Sequence, residues 1–315
     1  MKKKILLFLL SLLILNVIKC AKRATPTGGP RDSIPPQLIN ANPKLNTTFF
    51  DKEEFTLTFD EYVSIKDVSK QLIISPPLNS SQYKVYPTTG ASKKISLELK
   101  DSLMGNTTYT FNFGESIIDF NEENPASYLT YTLSTGETID SLYIRGSITD
   151  ALEKETERFI SLQLYPVDSI YKDSAVYTKK PLYVTSTLDT TIYRFQNLRS
   201  GKYAIIALED KAGNYFFDQN IDKIGFFDRI IELPQDSIID LRLFKEKTNF
   251  SWDAPHFVND HHVRLAFYGE YKDQTYKMVS KVSDTFKSLV TKSRKTDSLN
   301  YWFRGATLDL SLIHI

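Results

Sequence analysis

Phe55-Thr56-Leu57-Thr58-Phe59 decides the fold class. Phe55, Leu57 and Phe59 recur at every second position, so an extended chain puts them on one face and the threonines on the other. Aromatic and β-branched residues suit such a pleated, half-buried surface. The alternation returns in Ile95-Ser96-Leu97-Glu98-Leu99, in Tyr109-Thr110-Phe111-Asn112-Phe113 and from Tyr128 to Leu133. Half-buried strands separated by turn residues over about 100 residues predict an antiparallel β-sandwich. Leu57 and Phe111 are expected to point into its core.

Strand-like runs continue beyond this unit. Leu142 to Ile148 and Ser161 to Tyr165 read as strands, and Tyr193 to Leu208 reads as two strands around a turn containing Gly201. These place a second sandwich at residues 141–245. A third β-rich unit is expected at residues 249–315, with strands at Val263 to Gly269 and Tyr301-Trp302-Phe303. Met278, Val279, Val282, Phe286, Leu289 and Val290 sit at helical spacing, but the Ser, Thr and Val around them favour strands. The chain stops among apolar residues, and Leu310 to Ile315 resembles translated adapter sequence, so this unit is expected to be truncated. The predicted fold class is therefore all-β, with tandem β-sandwich modules.

Within residues 35–136 several stretches occur in a fixed order: Pro35-Pro36-Gln37-Leu38, Asn42-Pro43, Leu57 to Val63, Leu103 to Thr110, Ile118 to Pro125, and Leu133-Ser134-Thr135-Gly136. They resemble the bacterial Ig-like domain named after the S-layer protein SbsA. That resemblance implies a scaffold or spacer role and brings no catalytic residues. Phe195, Leu198 and Gly201-Lys202-Tyr203 resemble the transthyretin-like or carboxypeptidase-regulatory-like sandwich, which implies a binding or stacking module.

The N-terminus reads as an export address. Met1-Lys2-Lys3-Lys4 is basic, and Ile5 to Ile18 is apolar apart from Ser11 and Asn16. Basic followed by apolar is the layout of a secretory signal peptide. The run falls short of the roughly 20 residues that a membrane-spanning helix needs. Residues 1–19 are read as this signal, and Cys20 follows at once. It is the only cysteine, so no internal disulfide can use it. The arrangement resembles a bacterial lipoprotein signal, which implies acylation of Cys20, although Lys19 stands where a small residue is usual. Residues 20–34, with Pro26, Gly28, Gly29 and Pro30, read as the lipidated cysteine and an extended tether. Taken with Cys20-Ala21-Lys22-Arg23, the whole chain resembles Bacteroidetes-type lipoproteins, which implies attachment to the cell envelope, at the outer membrane.

Formal net charge is +1, which argues against a nucleic-acid partner because that would need a concentrated basic face. The expected partners are the membrane, through the lipid, and a protein or glycan. Asp210-Lys211-Ala212-Gly213-Asn214 with Asp218 and Asp222 offers oxygen ligands at calcium-loop spacing. Ala212 occupies a donor position and no bidentate Glu closes the loop, so it reads first as a polar turn, with weak calcium binding by Asp210, Asn214 and Asp218 as the alternative. No other cofactor is expected. His256, His261 and His262 share no face of a helix or strand and read as a loop group. Asp60-Glu61 and Glu122-Glu123 are paired carboxylates that would matter to acid–base chemistry only if they converged.

An Asp, then Ser or Thr, then an aliphatic residue or Thr recurs at Ser33, Ser102, Ser141, Ser169, Ser174, Thr190, Ser237 and Ser298. It resembles an O-glycosylation signal of exported Bacteroidetes proteins, and Asp-Ser is also ordinary turn chemistry. No Gly-x-Ser-x-Gly, P-loop or dinucleotide fingerprint is present. The sequence therefore points to a non-catalytic envelope lipoprotein. The alternative is the stalk of an enzyme or adhesin whose functional domain lies further along.

Overall fold

The computed structural model describes residues 32–188, 190–234, 237–269, 285–293 and 298–304. The signal peptide, Cys20, and Met278, Val279 and Val282 lie outside the described residues, as does the stretch from 305 to the end.

The first sandwich is built on β2 (Glu54–Ile65), which carries the deciding pentapeptide. Phe55, Leu57 and Phe59 are buried, while Thr56 and Thr58 face partly outward. β2 is flanked by β1 (Leu38–Asn42) and β5 (Ser92–Leu99), with β4 (Tyr83–Tyr86) beyond β5. Beyond an irregularity in its pairing with β5, β2 pairs β7 (Ile117–Asp119). The opposing sheet runs β3 (Ile73–Ser75), β6 (Thr108–Asn112) and β8 (Thr130–Ser134), with a single helical turn, α1 (Val68–Gln71), leading into β3. The two inner faces meet at Phe55. Its ring stacks on Tyr131 at 4.0 Å and meets the edge of Phe111 at 5.0 Å. Tyr131 is fully buried, so its hydroxyl needs a partner, and it donates to the Pro43 carbonyl at 3.0 Å. Tyr128, expected at the start of a strand, instead has φ 60 and ends a turn whose amide bonds the Gly114 carbonyl, so β8 begins at Thr130.

The second sandwich pairs a sheet of β11 (Tyr183–Ser186), β10 (Ser161–Pro166), β13 (Gly201–Leu208), β14 (Ile224–Phe226) and β15 (Ile231–Leu233) with a sheet of β12 (Ile192–Leu198), β9 (Leu142–Asp150) and β16 (Leu241–Leu243). A short helix, α2 (Ala175–Thr178), lies between β10 and β11. The strands read around Gly201 are both present, but they lie in opposite sheets. Asn197, at φ 57, begins the crossing from one layer to the other. β16 runs parallel to β9, and the segment leading into it passes so close that a Cβ on Gly146 would lie 1.6 Å from the Ile239 carbonyl oxygen. Only glycine fits there.

The third unit is a sheet in the order β17 (Ser251–Trp252), β19 (His262–Tyr268), β21 (Ser298–Arg304) and β20 (Lys287–Lys292), with β18 (His256–Asn259) paired to β19. Leu289 and Val290 lie on a strand, as their surroundings predicted. The histidines are not a loop group. His256 and His262 stand on the two strands of a hairpin and only His261 is in its turn, because the apolar alternation of Val263, Leu265 and Phe267 pulls the segment into a sheet. His262 is buried, stacks on Trp302 at 3.7 Å, and shares a 2.9 Å hydrogen bond with Asn300. Among the described residues no helix is long and apolar enough to cross a membrane.

Candidate functional site

The most elaborate non-core feature is the seam between the first two sandwiches. Ser75, at the end of β3, is buried, and its hydroxyl oxygen accepts the Val184 amide of β11 at 3.1 Å. The Asn197 side-chain amide donates to Thr110 Oγ1 at 2.8 Å and Thr132 Oγ1 at 3.2 Å, on two adjacent strands of the first sandwich. Its left-handed backbone, which Asn tolerates well, aims the amide across the seam. Arg199 donates to the Asn106 carbonyl and lies 3.6 Å from Asp140, whose other oxygen accepts the Thr108 hydroxyl. Asp140 belongs to the connection between the modules, so the linker itself is pinned. Polar groups buried this way cost free energy unless each finds its partner, which favours one relative placement of the modules.

Two clefts flank the seam, with Lys180 in the wall of both. One, of about 350 Å³, has Pro76, Pro77, Met104, Tyr165 and Tyr171 in its walls; the other, of about 340 Å³, has Tyr83, Asn79, Asn214, Tyr215 and Phe216. Lys180 Nζ donates to Asn79 Oδ1 at 2.5 Å and sits 5.8 Å from the Tyr215 ring. Burial lowers the Lys180 ammonium below the ordinary lysine value and pushes the Tyr215 hydroxyl up to about 12. The clefts offer shape, rings and hydrogen bonds, which suits binding.

Both carboxylate pairs read from the sequence come to one edge of the first sandwich, because β2 pairs β7 there. Burial raises the Glu61 carboxyl above its ordinary value, and Asp119, Asp60, Asp32 and Glu122 raise it further. Asp119 and Asp60 have structural work: Asp119 accepts the amides of Asn121 and Glu122, and Asp60 accepts that of Gln37. In the 210–222 loop, Asp210 accepts the amides of Gly213 and Tyr215, and Asn214 accepts that of Phe216. Asp218 accepts the Asn220 amide, and the buried Asp222 takes those of Lys211 and Asp218. Among the described residues no three His, Cys, Asp or Glu side chains converge as metal ligands.

Ser33, Ser102, Ser141, Ser169, Ser174 and Thr190 are exposed, and Ser237 is half-buried. Ser298 differs from these: it is 3% exposed, within β21.

Sequence reading missed Ser75, Asn197 and Lys180, since each is an ordinary polar residue until a second module faces it. It also missed a buried ion cluster. Lys223 Nζ lies 2.7 Å from Asp150, 2.6 Å from Glu153 and 3.9 Å from Glu209. The alternating strands on either side offered the only hint, since each ends in a charge.

Residues 32–135 match the family model for the bacterial Ig-like domain. The Ig-like module thus accounts for the first sandwich, and the chain as a whole is a tandem β-sandwich protein. No curated protein matches the chain. Solved structures with partial overlap include the major pilin subunit BcpA of Bacillus cereus, at 11% identity over 67% of this chain and 71% of that one, with TM-score 0.22. Another is the N-terminal part of the bacterial S-layer protein SbsC, at 12% over 55% and 40%, TM-score 0.22. A third is the L,D-transpeptidase from Mycobacterium smegmatis, at 11% over 67% and 90%, TM-score 0.23. At such scores these likenesses carry no inference about activity.

Proposed function

We propose that this protein is a non-catalytic envelope lipoprotein in which the Ig-like module and the second, transthyretin-like sandwich form one rigid spacer, held to the outer membrane through acylated Cys20. The observation that carries the spacer reading is the seam. A binding module on a flexible string would need no buried Ser75–Val184 bond, no Asn197 bridge and no pinned linker. The match of residues 32–135 to a bacterial Ig-like domain supports the same reading. The exposed Asp-Ser and Asp-Thr hydroxyls are its candidate O-glycosylation sites.

Two measurements test this separately. Nitroxide labels at Lys94→Cys and Asp228→Cys, in a Cys20→Ser background, should give a single narrow distance distribution. A broad one refutes the rigid spacer. Wild-type protein should stay with membranes through a high-salt wash and Cys20→Ser should not; equal retention refutes the anchor.

A further inference from the structure

The outer face of the β12-β9-β16 sheet is unlike the rest of the surface. Arg145 on β9 and Arg194 on β12 are direct register partners, with both side chains exposed. Like charges opposite one another destabilise a sheet pair. Among the described residues no carboxylate lies within ion-pair distance of Arg145, Arg194 or the neighbouring Arg242. The nearby Asp240 is engaged by the amide and hydroxyl of Ser147. The Arg194 guanidinium lies 5.0 Å from the Tyr143 ring. Ile192 and Ile238 flank the pair at 66% and 64% exposed.

We propose that this face docks on the anionic headgroups of a lipid bilayer, its guanidinium groups binding phosphates and its isoleucines entering the acyl boundary. The residue types divide as an interfacial surface requires. Arginine keeps its charge among headgroups while its stem lies on apolar matter, tyrosine sits at headgroup depth, and aliphatic tips go deeper. Phosphate between Arg145 and Arg194 replaces their repulsion with two attractions. An acidic protein would satisfy the arginines too, but it would have to supply fitted pockets for two isolated aliphatic side chains, which a fluid surface does without. The proposal rests on the tethered reading, because an anchor keeps the face near lipid. Three arginines near an anionic leaflet correspond to a roughly 150-fold preference over a neutral one (about 3 kcal/mol).

The test uses the full chain with Cys20→Ser, so that no anchor contributes, and measures sedimentation with vesicles. Phosphatidylcholine vesicles should bind little. Vesicles of phosphatidylcholine and phosphatidylglycerol in equal parts should bind, less so as salt is raised. Arg145→Gln with Arg194→Gln should weaken that binding roughly 30-fold, at about 1 kcal/mol per arginine. Ile192→Ser with Ile238→Ser should weaken it at unchanged salt dependence. If the Gln pair does not fold, Arg145→Lys with Arg194→Lys must keep the preference for anionic vesicles. Equal binding to both vesicle types, binding to neither, or an unchanged Gln pair overturns the proposal. So does capture by soluble polyglutamate without vesicle binding, which would assign the face to an acidic protein. Failure here leaves Cys20 anchoring untouched, since that is read from the salt-washed membranes of the wild type.

Discussion

Replacing Lys223 with Met should open the second sandwich locally and measurably. The ammonium is held by Asp150 at 2.7 Å and Glu153 at 2.6 Å, with Glu209 at 3.9 Å. The side chains of Asp150 and Glu209 are only 4% and 8% exposed; Glu209 pairs with Lys211 through one oxygen, and its other oxygen, Oε2, has no hydrogen-bond partner and faces Lys223, while Asp150 depends on Lys223 directly. Glu153 is 55% exposed and contributes little. Removing one member of a buried ion group costs about 3–5 kcal/mol, because the carboxylates left behind stay desolvated. Both tryptophans, Trp252 and Trp302, lie in the third unit, so fluorescence would report the wrong region. Amide hydrogen exchange over residues 142–150 and 201–208 reads the right one. A loss of 3 kcal/mol speeds exchange through opening by roughly 150-fold. Acceleration below about threefold would show that water already reaches these carboxylates, and would refute the buried-cluster reasoning.

The same cluster gives the module a pH dependence at both ends of the scale. Burial alone would raise the Asp150 carboxyl, but Lys223 and the amides of Glu153 and Leu152 hold it below its ordinary value. Its contribution is present above the unfolded-state carboxylate value and is lost as pH falls through the lower folded one. Burial would lower Lys223, but hydrogen bonds to Asp150 and Glu153 carry it above 10.5. That contribution is present below 10.5 and is lost as pH rises through the raised value. Protection factors in β9 and β13, with exchange normalised to the unfolded-chain rate at each pH, should be highest near neutrality; equal or higher protection at pH 2 contradicts this. Leu57→Ala, at a fully buried position, should destabilise the Ig-like module by roughly 2–5 kcal/mol in urea unfolding, and a change under about 0.5 kcal/mol would mean the wrong face was assigned. Gly146→Ala should abolish the β9–β16 pairing, seen as lost exchange protection over residues 241–243. Asn197→Ala should broaden the spin-label distance distribution with little effect on either sandwich, and an unchanged width would remove Asn197 from the seam.

How much was legible in the sequence follows from the range over which each signal acts. Period-two alternation is local, so Phe55-Thr56-Leu57-Thr58-Phe59 stated both its conformation and its buried face, and residues 32–135 matched their family. The turn around Gly201 was equally legible, because a backbone break shows in composition. Which sheet each flanking strand joins was not, since partners are chosen over long separations: β12 takes β9 and β13 takes β10. Position along the chain also says nothing of accessibility, so Ser298 carried the same motif as seven other sites and only its place in β21 showed it to be buried.

The seam, the Lys223 cluster and the Arg145–Arg194 face are the extreme case. Each is made of common polar residues whose meaning comes from a neighbour tens of residues away: Ser75 from Val184, Asp150 from Lys223, Arg145 from Arg194. By itself the sequence determined which residues leave water, because burial on a pleated strand follows from neighbours two positions apart. Only the tertiary structure decided which polar groups meet, because hydrogen bonds and ion pairs act over a few ångströms that the chain spans only after folding.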